Sequence, residues 1–132
     1  MANYIVWKSF YSVGDPTLDA QHKQIIAIVS DLYTAIEEGR DRDVLKPLLD
    51  RLSRYVVAHF KYEEQIMEEH GYPGLAQHKA LHDRLRRRTT DLRTHVSLVT
   101  GPDLLHFLKE WWIEHIQHQD KQYTPYLAVP AH

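Results

Sequence analysis

The stretch His59-Phe60-Lys61-Tyr62-Glu63, followed by Gly71-Tyr72-Pro73-Gly74 and then His78-Lys79-Ala80-Leu81-His82, decides the reading of the whole chain. A spacing of four along an α-helix turns a side chain by only about 40° and lifts it by roughly 6 Å, so each pair of donors can aim at one place. Gly71 and Pro73 interrupt the helical pattern between the pairs. If the flanking helices run antiparallel, the end of one lies beside the start of the next, and four donors face a common point. Imidazole and carboxylate together suit iron, zinc, copper, nickel and cobalt. The spacing alone is weak, because His106 and Glu110 repeat it in a chain with ten histidines. What counts is whether further donors arrive at the same level.

Working outward, the apolar periodicity predicts an all-α protein, one domain over residues 1–132. Residues 1–17 read as an N-terminal arm ending at Gly14-Asp15-Pro16. A first helix is expected from about Thr17 or Asp19, either of which could cap it, with the stripe Leu18, Ile25, Ile26, Val29, Leu32, Tyr33 and Ile36 and a stop at Gly39. A second runs from Asp41 or Asp43 to His70, with Pro47 placed close enough to the start to be tolerated in the first turn. The third covers about Leu75 to Val96. The fourth begins near Pro102 and turns Leu104, Leu108, Trp111 and Trp112 inward, and residues 121–132 read as a short tail.

Four amphipathic helices with short connections imply an up-down-up-down bundle. In that topology the start of the first helix, the end of the second, the start of the third and the end of the fourth share one tip. Those are the places of His22, of His59 with Glu63, of His78 with His82, and of His115. A single histidine on an apolar stripe is more often a hydrogen-bonded core residue than a ligand. Six donors converging at one tip are different, since burying them with nothing to bind would cost about 1–3 kcal/mol for each unpaired group. A further donor from the fourth helix stays open between His118 and Asp120. Helical rotation favours His118, about 60° from His115, over Asp120, about 140° away, unless the helix ends or tightens there.

Five imidazoles, Glu63 and one more donor are too many for a single zinc, which takes about four. Two six-coordinate ions offer about twelve places; five imidazoles, two bridging carboxylates and a bridging oxygen fill all but one. An open place reached only past apolar side chains suits a small apolar ligand such as dioxygen.

Composition closes off other classes. Zero cysteines exclude disulfides, iron–sulfur clusters and thiolate zinc sites, and the net charge of −2 with mixed signs offers no footprint for nucleic acid. The basic run Arg84 to Arg93 is interleaved with Leu85, Thr89 and Leu92 and reads as a solvated helix face. No window approaches a membrane span and the start of the chain lacks a signal-type pattern, so a cytoplasmic location is expected, with a monomer as the assembly state.

Trp7, Val13-Gly14, Asp19-Ala20-Gln21-His22, His59-Phe60-Lys61-Tyr62-Glu63-Glu64, His78-Lys79-Ala80-Leu81-His82 and Trp111 with His115-Ile116-Gln117-His118-Gln119-Asp120 resemble the hemerythrin family, in particular its single-domain bacterial members. The resemblance spans nearly the whole chain. It implies a cofactor of two iron ions in a non-haem di-iron centre with a bridging oxo or hydroxo group. By similarity, His78, His82 and His115 hold one iron, His22 and His59 the other, and Glu63 and Asp120 bridge; the family's motif thereby selects Asp120 over His118. Dioxygen is implied at the two-histidine iron, in a pocket matched by Ile25, Phe60, Trp111, Trp112 and Ile116. The family usually has Leu where Trp112 stands, a departure that bears on pocket shape and access.

The expected function is reversible oxygen binding for carriage, storage or delivery to an oxygen-consuming enzyme, rather than enzymatic turnover. A di-iron redox enzyme acting on peroxide or nitric oxide, or an oxygen or iron sensor, are the alternatives. Ferritin-like oxygenases are disfavoured, because no Glu in this chain is followed by His at the third position.

Overall fold

The computed structural model describes residues 12–113, 115 and 120–127, with the backbone alone at 111–113, 120 and 121. Its architecture is an all-α four-helix bundle, with no strand among the described residues. Helix α1 spans Pro16–Glu37, α2 Asp41–Glu69, α3 Leu75–Thr94 and α4 Gly101–Phe107. A 3-10 turn, Val96–Leu98, precedes α4. Beyond α4 the chain widens into a π-helix over Leu108–Ile113, then tightens into a 3-10 turn at Asp120–Tyr123 and ends in a short helix α5, Thr124–Leu127.

The start of α1 corrects the sequence expectation. Neither Thr17 nor Asp19 caps it: Asp15 does, its Oδ1 accepting from the Leu18 N–H at 2.9 Å, with Pro16 at the first helical position. Pro prefers that position because it has no N–H to leave orphaned, which moves the cap to the residue before it. Asp19 instead accepts from Ser12 Oγ at 2.5 Å and the Val13 N–H at 2.9 Å, tying the incoming segment to the first turn. Pro47 also lies deeper than expected, in the second turn of α2. Its ring leaves the Asp43 carbonyl without an intrahelical donor, and the exposure of Asp43 lets water take that place.

After α2 the chain reverses through Gly71, at φ +67°. The Tyr72 N–H reaches back to the Met67 carbonyl at 3.0 Å and the Gly71 N–H to Glu68 at 3.1 Å, which satisfies the last carbonyls of the helix. At the opposite tip, α4 begins against the start of α2: a Cβ on Gly101 would stand 2.7 Å from the Asp41 Cβ, so only glycine permits the approach. These turns put the ends of α1 and α3 with the starts of α2 and α4, and leave the starts of α1 and α3 beside the end of α2.

The core falls into two apolar clusters. The larger joins Ile25, Ile28, Val29 and Leu32 of α1 with Leu45 through Phe60 of α2, Leu85 and Leu92 of α3, and Leu104, Phe107 and Leu108. The smaller caps the other tip with Val13, Leu18, Met67 and Tyr123. Burying each large side chain contributes about 1.5–3 kcal/mol before entropy is charged against it. On each helix donors lie between the two clusters, His22 between Leu18 and Ile25, Glu63 between Phe60 and Met67, His78 and His82 between Leu75 and Leu85, and His115 between Leu108 and Tyr123, with His59 just ahead of Phe60.

The tail expectation is corrected as well. Tyr123 is fully buried and Thr124–Leu127 is helical, with Tyr72 packed edge-on against both Tyr123 and Tyr126. Pro125 belongs to this helix, where a first-turn proline is permitted. Of the expected arm at 1–17, residues 1–11 lie outside the described residues, and the helix already begins at Pro16. No helix among the described residues is long and apolar enough to cross a membrane.

Candidate metal centre

Six of the seven donors singled out from sequence meet at one level of the bundle. His22, Glu63 and His82 are 0% exposed, His59 and His78 3%, and His115 8%. They form two groups that share Glu63: Glu63, His78, His82 and His115 in one, His22, His59 and Glu63 in the other, with the ligand-type atoms of each group within 4.8 Å of one another. The imidazoles crowd together, His78 and His82 edge to face at 4.5 Å between centroids, His22 and His59 edge to face at 5.0 Å, and His78 and His115 tilted at 4.9 Å.

The carboxylate is divided between the groups. Oε1 of Glu63 lies 2.9 Å from Nε2 of both His78 and His82, while Oε2 lies 3.4 Å from Nε2 of both His22 and His59. Burial alone would push the Glu63 carboxyl up, but the His59 charge and the hydrogen bonds from His22, His59 and His78 outweigh it and hold the group well below the ordinary carboxylate range. Glu63 is therefore an anion in a dry interior.

The donor chemistry fits a cation. His82 faces a carboxylate oxygen with each ring nitrogen, Nδ1 to Glu64 Oε2 at 2.6 Å and Nε2 to Glu63 Oε1 at 2.9 Å. A neutral imidazole carries only one N–H. In the neutral ring, with the Nδ1–H donated to Glu64, the Nε2 lone pair faces a carboxylate, an arrangement that a metal ion between them would convert from repulsive to favourable. His78 Nε2 converges on the same oxygen. Neighbouring nitrogen and oxygen ligands around a six-coordinate ion, each at about 2.1 Å, stand about 3 Å apart, which is the separation seen here. Outer hydrogen bonds fix the rings in the orientation this needs: the His59 Nδ1–H donates to the Gln21 side-chain oxygen at 2.6 Å, as His82 does to Glu64.

Of the pocket residues expected from sequence, Ile25 and Phe60 are fully buried. The Phe60 ring lies parallel to His82 at 3.8 Å and tilted to His59 at 5.7 Å, so it touches both groups. Trp111 and Trp112 belong to the π-helix, and their side chains lie outside the described residues, as does all of Ile116. The Asp120 side chain is likewise outside them, though the backbone does tighten into a 3-10 turn from Asp120 onward. The control pair His106 and Glu110 is exposed.

Sequence reasoning missed four contributors. The Tyr123 hydroxyl donates to Glu63 Oε2 at 2.9 Å across 60 residues of chain. Gln21 and Glu64 orient His59 and His82; each is the immediate neighbour of a donor, and that adjacency was the available signal. Tyr55 also stacks on His59 at 5.1 Å.

The family described as Hemerythrin HHE cation binding domain matches residues 13–127. The chain is similar to a bacteriohemerythrin of Stenotrophomonas maltophilia, 31% identical over 97% of this chain and 83% of the relative. A bacteriohemerythrin of Methylococcus capsulatus is 37% identical over 84% of this chain and 86% of its own length. Among solved structures, wild-type hemerythrin superposes with a TM-score of 0.83 at 34% identity, covering 96% of this chain and 99% of that one.

Proposed function

This chain belongs to the hemerythrin family, and from that premise we propose that it binds dioxygen reversibly, for carriage, storage or delivery to an oxygen-consuming enzyme of the cytoplasm. The observation that carries the reading is the division of one buried carboxylate between a three-imidazole and a two-imidazole group. When bound, a non-haem di-iron centre with its oxo or hydroxo bridge supplies the electrons for oxygen capture.

The chain's own residues set the conditions. His78, His82 and His115 would hold one iron and His22 and His59 the other, with Glu63 and Asp120 spanning both. The group with one imidazole fewer would leave room for a small ligand beside its ion. Ile25 and Phe60, both fully buried, wall that level with apolar surface and keep bulk water from the donors. Trp111, Trp112 and Ile116 are proposed to complete the wall. Tyr123 donates to the shared carboxylate and helps keep it in place.

Anaerobic reconstitution with ferrous iron, followed by air, tests this. A visible absorption band that appears with oxygen and disappears on its removal, over repeated cycles and without consumption of reductant, is the expected result. Continuous consumption of reductant would reassign the site to a redox enzyme, and the absence of any oxygen-dependent band would refute oxygen binding.

A further inference from the structure

The two metal positions differ in what stands behind one imidazole of each, His59 in the first and His82 in the second. Behind His59 is the neutral Gln21 side chain. Behind His82 is the Glu64 carboxylate, which is only partly exposed and is itself held by Arg86, its Oε2 accepting from a guanidinium N–H at 3.2 Å. Arg86 is anchored in turn by Asp83 at 2.7 Å and lies 5.1 Å over the Phe60 ring, whose own plane is parallel to His82. His82 is thus fixed in tilt by Phe60 and in rotation by Glu64. An anion accepting the Nδ1–H also makes Nε2 a stronger donor than a neutral amide can.

We propose that Glu64, steadied by Arg86, is a positioning residue that makes the position of His78, His82 and His115 the tighter of the two, so that the centre loads metal in a fixed order. The inference rests on the two-metal reading above. It follows from three features acting together: one more imidazole, an anionic partner on one of them, and a ring held on two axes by protein groups alone. Preorganisation lowers the ordering cost of binding, and the loss of such outer partners changes metal affinity by about tenfold to a hundredfold.

The test is a titration of the metal-free 132-residue chain with Co2+, followed through its visible ligand-field bands. Wild type is expected to bind two equivalents in two separated phases. Glu64→Gln, which preserves shape and removes charge, is expected to weaken the first phase by about tenfold or more and leave the second in place. Assignment comes from single-position backgrounds. With His59→Ala, which leaves the three-imidazole position, Glu64→Gln is expected to weaken Co2+ binding and shift its visible bands. With His78→Ala, which disables that position, Glu64→Gln is expected to change nothing. Gln21→Glu supplies the converse, tightening the second phase.

Two equivalents still binding with both phases moved equally by Glu64→Gln, or with neither moved, would overturn the proposal while leaving the two-metal reading intact. Fewer than two equivalents in wild type would overturn that reading itself. Far-UV circular dichroism checks folding. If Glu64→Gln fails to fold, the Gln21→Glu arm decides alone: failure to tighten the second phase overturns the assignment of order to these outer partners.

Discussion

Helices α2 and α3 carry the same four-residue device and put it to different uses. On α3 both members are imidazoles, and His78 and His82 converge on one carboxylate oxygen, each at 2.9 Å. On α2 the first member is His59 and the second is Glu63, which turns one oxygen to the α3 group and the other to His22 and His59. The difference of one residue type converts a chelating pair into a bridge. An imidazole offers a single outward lone pair once its other nitrogen is engaged, whereas a carboxylate offers two oxygens and can serve two ions. The same substitution leaves the α1–α2 side one nitrogen short, which is where an open coordination place belongs.

The largest expected effect follows from removing the bridge. Glu63→Ala should abolish stoichiometric binding of two irons, because both groups lose their shared anion, while most of the helix signal in circular dichroism persists. Metal analysis after anaerobic loading checks it, and two irons retained would break the comparison between bridge and chelate.

Next, His59→Ala and His78→Ala should each fall from two irons to at most one, since each disables one group and spares the other. Iron-to-protein ratios of two in both variants would defeat the division into groups.

Smaller still is Tyr123→Phe. The hydroxyl donates to a fully buried carboxylate oxygen at 2.9 Å, so its loss in the metal-free protein should cost about 1–3 kcal/mol in chemical denaturation, with metal stoichiometry kept at two. An unchanged midpoint would remove Tyr123 from the account of how the bridge is held. The smallest effect belongs to His106→Ala, which breaks a pair of identical spacing on an exposed surface. It should leave iron content at two and stability within about 0.5 kcal/mol. Any loss of iron there would mean the wrong face had been read.

The contrast between these regions also explains what was legible in the chain. The three long helices announce themselves because their stripes keep a 3.6-residue period for five turns or more, and the alternating placement of His22, His59, His78 and His115 follows from topology alone. The last quarter of the chain obeys other rules. From Leu108 the helix winds as a π-helix, with hydrogen bonds one residue longer than the period used to read it, so inward positions inferred beyond that point carry no guarantee. Rotation from His115 favours His118 over Asp120, and the side chains of both lie outside the described residues. Tyr123 was hidden for a different reason: its partner lies 60 residues away, and no local pattern marks a hydroxyl that closes a long-range contact. Pro125, read as a sign of a tail, sits in the first turn of a short helix, a place where proline is neutral toward helix formation. Glu64 and Gln21 were visible only as neighbours of donors, since an outer hydrogen bond needs a third dimension to be seen.

An anomalous-difference map from crystals of the iron-loaded protein, recorded at the iron edge, bears most directly on the shared carboxylate. Two peaks about 3.5–4 Å apart, one on each side of Glu63, with three imidazoles on the first and two on the second, are the predicted result. A single peak, or two peaks that do not share Glu63, would contradict it.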